Sequence, residues 1–203
     1  MLTVDEWHRR FTRQAVWTDQ VRQYLYQKTV LSSATNILEV GCGTGVITFD
    51  LHRQTQARVY GLDLRLDFLH LAHTSDPATS YLLADGLKLP LPAAVFDVVV
   101  CHYLLLWIQD PISLLGEMKR VTRPGGCIVA LAEPDYGGRV DHPAPLVSLG
   151  HLQAQALKEQ GADPERRGHV VAGQSRLRRR ERRDKQQRKR RNKHSLFHSS
   201  FLR

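Results

Sequence analysis

The segment Ile37 to Gly45, ILEVGCGTG, constrains this chain more than any other, because a short apolar run empties into glycines at alternate positions 41, 43 and 45. Residues without a Cβ let the backbone turn sharply out of a strand and let a ligand rest directly on its amides. The spacing predicts a helix starting near Thr44 or Gly45, with its free amides facing the same space. Strand, glycine turn and helix in that order open an α/β unit that receives a nucleotide-like ligand. The dinucleotide pattern GxGxxG is not met, since Val46 stands three residues after Gly43 and the spacing is GxGxG. Glu39 precedes the loop, and its carboxylate repels a pyrophosphate while suiting a ligand that carries an ammonium or a sulfonium group.

Three more buried-strand patterns follow. Arg58 to Leu64 (RVYGLDL) carries Asp63 near its end, Tyr81 to Ala84 runs into Asp85 and Gly86, and Phe96 to Cys101 (FDVVVC) stops beside His102. A carboxylate placed like Asp63 binds ribose hydroxyls, and it can equally cap the helix from Arg65 onward. Val46 to Arg53, Leu66 to His73 and Pro111 to Val121 read as helices between strands. Pro124, Gly125 and Gly126 turn the chain into a fifth strand, Cys127 to Ala132. The alternation predicts an α/β, Rossmann-like fold: a mostly parallel, doubly wound sheet of about five strands in three αβα layers. In such a sheet ligands bind outside the carboxyl ends of the strands, so four polar ends in order predict one site.

LEVGCGTG, GLDL, ADGLKLPLP with FDVVVC, and EMKRVTRPGG occur in the order seen in class I S-adenosylmethionine-dependent methyltransferases, and over Phe11 to Pro164 the chain resembles that family, in its small-molecule and quinone-type subgroup. The resemblance implies S-adenosylmethionine as cofactor and a small-molecule methyl acceptor. It implies that Glu39, Gly41, Cys42, Gly43 and Gly45 hold the methionine part, Asp63 the ribose and Asp85 the adenine amino group. Leu64 then packs on the adenine face with Gly86 and Leu87 beside it, and Cys101 or His102 gives backbone contacts to the methionine end. Residues 1–32 become lid helices over the cofactor, with a break at Trp17 to Thr18, and Gln14 and Trp17 within reach of it. Trp7, Phe11 and Trp17 packing on the sheet is the competing reading.

Methyl transfer from a sulfonium is an in-line displacement in which the protein supplies alignment and water exclusion. A hydroxyl or carbon-acid acceptor needs a base, for which topology offers His102, Glu133 and Asp135 as catalytic candidates. An amine or thiolate acceptor needs none. Glu133 to Pro145 (EPDYGGRVDHPAP) reads as the acceptor-facing loop.

The basic charge is confined to one end. Pro164 to Arg203 carries 15 Lys and Arg against three acids, a net +12, whereas residues 1–163 hold 14 against 17, a net −3. With the resemblance, this split makes residues 1–163 the expected methyltransferase core and 164–203 an expected basic, largely disordered or non-native tail. Gln174 to Lys193 has Leu177 as its one large apolar residue and can build neither a buried strand nor an amphipathic face. The sixth and seventh strands of the family are thus expected to be missing, leaving the fifth strand with an open edge that favours association. So abrupt a change predicts an altered C-terminus, such as a frameshifted or misjoined reading frame after Pro164. An inactive remnant that still binds cofactor stays open beside the enzyme, as does a nucleic-acid methyltransferase or binder acting through the tail. The tail lacks interleaved aromatics, so its pull on nucleic acid is expected to be non-specific.

Cys42, Cys101 and Cys127 are odd in number and have no metal-ligand spacing, so neither a disulfide framework nor a metal site is expected. No signal-peptide pattern opens the chain, and no apolar run approaches the roughly 20 residues of a membrane span. A cytoplasmic location is expected. The pattern carries no signal for oligomeric state.

Overall fold

In the computed structural model the described residues are 2–134, 136, 142–143 and 145–164. Asp135 and the tail beyond residue 164 lie outside them, and with them the expectations placed there. Element order is α1 (Val4–Gln27), β1 (Asn36–Val40), α2 (Val46–Gln54), β2 (Arg58–Asp63), α3 (Leu66–Ser75), β3 (Ser80–Leu83), β4 (Phe96–His102), α4 (Pro111–Val121), β5 (Thr122–Leu131) and α5 (Pro145–Glu159). Short 3-10 turns stand at Leu31–Ser33, Gly86–Lys88 and Leu105–Trp107.

The five strands form one parallel sheet in the order β3-β2-β1-β4-β5. This is the α/β, Rossmann-like architecture expected, and its strand order reverses between β1 and β4. A crevice opens at such a reversal, and ligands use it. Side chains alternate across the sheet with the two-residue period of a strand. Ile37, Val98 and Val100 pack on one face with Ala15 and Tyr26 of α1 and Ile47 and Leu51 of α2. Leu38, Val99 and Cys101 pack on the other with Leu114, Met118 and Val121 of α4. Val98, Val99, Val100 and Cys101 are fully buried, and each of the three valines stabilises the fold by about 1.5–3 kcal/mol.

Helix α1 departs from its expected form. It is one continuous helix of 24 residues, opened by a capping box in which Thr3 and Glu6 bond each other's backbone. No break occurs at Thr18, because side chains brace the helix there: the Thr18 hydroxyl lies within bonding distance of the Gln14 and Ala15 carbonyls, and Arg22 reaches back to Thr18 and to Ala15 O. The buried stripe is Ala15, Thr18, Arg22 and Tyr26, while Val21 and Tyr24 face solvent. Trp7 and Phe11 pack with Phe68 of α3 rather than on the sheet, with ring centroids 5.4 Å and 5.6 Å apart along the chain Trp7–Phe11–Phe68. Trp17 is 74% exposed.

Strand β5 begins at Thr122, earlier than expected, and contains Pro124 to Gly126 as an irregularity. Phe96 pairs with Thr122 and Val98 with Cys127, so the intervening residues loop out opposite Asp97. Asp97 accounts for the fold of that corner: it accepts from the amides of Thr35 and Asn36 at 2.8 Å and pairs with Arg123. Among the described residues β5 has no strand on its far side.

Candidate functional site

A cavity of about 1120 Å³ opens at the carboxyl ends of β1, β2 and β4, roofed by α1 and bordered by α5. Its floor is the glycine loop. Gly41, Gly43 and Gly45 have φ of 73°, 54° and 78°, the left-handed region that costs other L residues about 1–2 kcal/mol each. At Gly43 a Cβ would stand 3.0 Å from the Phe11 ring, and at Gly45 it would stand 2.8 Å from Ala72 Cβ. The loop is therefore pressed on both sides. Gly45 is the N-cap of α2, as the spacing predicted.

Asp63, at the end of β2, joins the loop to the next helix. Its Oδ2 accepts from the Gly43 amide at 2.8 Å and its Oδ1 from the Arg65 amide at 2.9 Å. The N-cap of α3 is Arg65, so Asp63 makes an Asx turn before the helix rather than capping it. Glu39 is 2% exposed yet lines the cavity, and Thr48 donates a hydrogen bond to its Oε2. Burial pushes its pKa up to about 8 against the effect of that bond, with the nearby charge of Asp63 adding to the rise. At neutral pH without a cationic ligand the group is a neutral acid, which amends the picture of a standing carboxylate.

Other expected residues sit apart from the lining. Leu64 is exposed, and Asp85, Gly86, Leu87, Cys101, Gly45 and Glu133 do not border the cavity. Three strand ends, not four, open into it. Asp85 Oδ1 caps the turn after β3 by accepting from the Leu87 amide at 2.9 Å. Gly86 is wedged against Leu114 and Val40, where a Cβ would stand 2.7 Å and 2.9 Å from their methyl groups.

Glu133 holds a turn. Its two oxygens accept from the amides of Leu104 at 2.9 Å and Leu105 at 2.8 Å, and the Cys101 thiol lies 3.4 Å from Oε1. Burial raises its pKa in opposition to those bonds. The same burial, followed by the charge of Glu133, raises the Cys101 thiol. The turn so held carries Tyr103, at φ 53°, and Leu104, whose methyl would lie 2.5 Å from a Cβ at Gly41. Glu133 thus shapes the cavity from behind instead of facing an acceptor.

His102 does reach the cavity. Its Nε2 lies 3.0 Å from Thr18 Oγ1, and burial, then the charge of Arg22, brings its pKa down to about 4, so the ring is neutral at physiological pH. Gln14 and Trp17 also line the cavity, together with Trp7, Phe11, Tyr103 and Trp107, which motif reading did not assign to it. His8 Nδ1 meets Thr44 Oγ1 at 2.9 Å, tying α1 to the glycine loop. The one sequence clue to this side of the site was a Thr and an Arg four residues apart in a helix that also carries buried Ala15 and Tyr26. No cluster of His, Cys, Asp or Glu fit to hold a metal ion occurs among the described residues. No described helix is long and apolar enough to cross a membrane.

Comparison with known proteins agrees with this geometry. Residues 38–130 match the family described as methyltransferase domain. Malonyl-[acyl-carrier protein] O-methyltransferase of Serratia marcescens is 39% identical over 93 residues, which are 46% of this chain and 36% of that protein. Trans-aconitate 2-methyltransferase of Azoarcus sp. is 34% identical over 113 residues, 55% of this chain and 44% of the relative. Among solved structures, the [4+2]-cyclase SpnF matches with a TM-score of 0.51 and 25% identity, over 55% of this chain and 43% of that one. The chain spans about a third to a half of the length of these relatives.

Proposed function

We infer that this chain, whose residues 38–130 match a methyltransferase domain, is a class I S-adenosylmethionine-dependent methyltransferase that binds S-adenosylmethionine in the cavity over the glycine loop and transfers its methyl group to a small acid. The observation that carries the reading is Asp63, whose carboxylate spans the Gly43 and Arg65 amides at the rim of the cavity while Glu39 stands at its floor. The fold alone is not enough, since SpnF shares it and is named a cyclase.

The residues present fit the cofactor. The Asp63 carboxylate suits a ribose, the Cβ-free surface of the glycine loop, whose own amides are tied to Leu62, Asp63 and Cys42, leaves room for an amino-acid moiety, and Glu39 suits an ammonium. Bound S-adenosylmethionine supplies a methyl group on a positively charged sulfur, ready for in-line displacement. What the chain adds is alignment and the exclusion of water, through Trp7, Phe11 and Trp17 above and Tyr103 at the side. Asp85, which caps the turn after β3 outside the cavity lining, is assigned to the adenine amino group on the family resemblance alone.

A small acid as acceptor has two supports. Malonyl thioesters and trans-aconitate, which name the two methyltransferase relatives, both carry a free carboxylate. Arg9, Arg10 and Arg13 line the mouth of the cavity from α1 and draw anions to it. A carboxylate is already ionised near neutral pH and needs no base, in keeping with the engagement of Glu133 by two amides.

Calorimetry with S-adenosylmethionine, followed by transfer of labelled methyl to a panel of small acids, tests the reading. No binding by the unmodified chain removes it. Binding with no transfer to any acid leaves a cofactor-binding remnant instead.

A further inference from the structure

We propose that Arg22 and Thr18 form a relay that holds His102 as a hydrogen-bond donor, through Nδ1–H, to the oxyanion of the acceptor. The inference rests on the methyltransferase reading for the identity of the acceptor, but the relay itself belongs to the protein alone.

Arg22 is 4% exposed, and its guanidinium is held on every side: Nη1 donates to Thr18 Oγ1 at 2.7 Å and to Ala15 O, and Nη2 to Asp19 at 3.2 Å and Asp50 at 3.3 Å. Thr18 Oγ1 is therefore an acceptor from a fixed cation. Its one proton has three destinations: Gln14 O at 3.1 Å, Ala15 O at 3.2 Å and His102 Nε2 at 3.0 Å. Ala15 O already receives Arg22 besides its helical amide, which fills both lone pairs, and Gln14 O, which receives the helical amide of Thr18, keeps one lone pair but lies farther from Oγ1 than Nε2 does, 3.1 Å against 3.0 Å. His102 Nε2 has no other partner among the described residues. A hydroxyl that accepts from a cation becomes a stronger donor, so the chain Arg22 to Thr18 to His102 is cooperative in that direction. The reverse tautomer would aim an Nε2–H dipole at the guanidinium, which Coulomb's law disfavours at this range.

With its lone pair spent on Thr18, the ring must carry its proton on Nδ1. That nitrogen has no hydrogen-bond partner among the described residues, and the ring borders the cavity at the end of β4, against the ring of Tyr103 at 4.7 Å. A neutral N–H donor there cannot take a proton from the acceptor. It can hold and orient a carboxylate oxygen, an ester carbonyl or an enolate. His102 thus becomes a specificity-determining donor, and Thr18 and Arg22 its positioning residues.

Long-range proton–nitrogen correlation of the imidazole in the full chain at neutral pH reads the tautomer directly. The expected result is Nδ1 protonated and Nε2 bare. Thr18→Ser keeps that pattern, while Thr18→Val shifts the ring toward the Nε2–H form. An Nε2–H ring in the unmodified chain, or a Thr18→Val chain unchanged from it, overturns the relay. With S-adenosylhomocysteine present, trans-aconitate is expected to displace the His102 Nδ1–H signal in a saturable way, and its trimethyl ester to leave it in place. No movement with the acid, or equal movement with the ester, overturns the oxyanion role. Absence of S-adenosylmethionine binding in calorimetry on the same sample overturns the methyltransferase reading instead, leaving the tautomer result to stand by itself.

Discussion

Two acidic residues at strand ends, Asp63 after β2 and Glu133 after β5, do opposite work in the two halves of the site. Asp63 is half-buried, accepts from the amides of Gly43 and Arg65, and borders the cavity. Glu133 accepts from the amides of Leu104 and Leu105 beneath the surface and stays behind the wall. Each carboxylate satisfies two backbone donors, so residue type and topological place do not tell them apart. The difference lies in where the amides point. The Gly43 amide that Asp63 binds stands at the cavity, whereas the 103–105 turn buries its own.

Removing Glu133 should therefore cost folding and removing Asp63 should cost binding. Glu133→Ala removes two charge-assisted bonds to backbone amides in a desolvated turn, a loss of about 2–4 kcal/mol by their usual worth. Urea unfolding measures it, and Glu133→Gln should recover part of the loss. A Glu133→Ala chain as stable as the parent would mean that the turn is held by other contacts.

Asp63→Ala gives the complementary result. Water can replace the lost acceptor at the rim, so stability should fall by less than about 1 kcal/mol. Affinity for S-adenosylmethionine should fall tenfold or more, because the loop amide and the ribose lose the same group. Calorimetry beside urea unfolding separates the two effects. Parallel losses in both mutants would erase the distinction between the halves.

Legibility in the sequence follows the same division. The β1–β2 half was readable because glycine, Asp63 and the strands around them are local signals, and helices α2, α3 and α4 fell within about two residues of their expected bounds. Helix starts at Gly45 and Pro111 were fixed by residues with few conformational options. The β4–β5 half depends on contacts remote in sequence: Thr18 with His102 across 84 positions, and Glu133 with Leu104 across 29. No periodicity encodes such pairs. Glu133 was expected to be a base because its place was visible and its partners were not. The continuity of α1 was missed for a related reason, since Thr18 reads as a breaker until Arg22 is seen to bind it. The loop-out at Pro124 to Gly126 reads in sequence as a turn before a strand, because the local chemistry is the same in both.

Glu39 offers a finer test of the first half. Its folded pKa of about 8 stands above the ordinary 4.5, so the folded chain holds a proton there that the unfolded chain releases. Stability from this group is full below the ordinary value and declines as pH rises toward about 8. A cationic ligand reverses the preference by favouring the carboxylate. Binding of S-adenosylmethionine at neutral pH should then release up to one proton, and affinity should climb with pH until about 8. Calorimetry in two buffers of different ionisation heat counts the proton. Glu39→Gln should abolish the release, and an unchanged count in that variant would assign the proton elsewhere.

The smallest effect expected comes from a glycine with no such duty. Gly116 lies inside α4, which packs on the β4–β5 half, and a Cβ there meets nothing within 4 Å. Glycine in a helix interior is about 0.8–1.0 kcal/mol worse than alanine, so Gly116→Ala should stabilise the fold by somewhat less than that. At Gly45 the same substitution meets a φ of 78° and the Ala72 Cβ at 2.8 Å, and should destabilise. Measured side by side in urea, the two changes should differ in sign. Equal signs would mean that the loop relaxes around a side chain, and the glycine spacing would then lose its claim to mark the place where a ligand meets bare backbone.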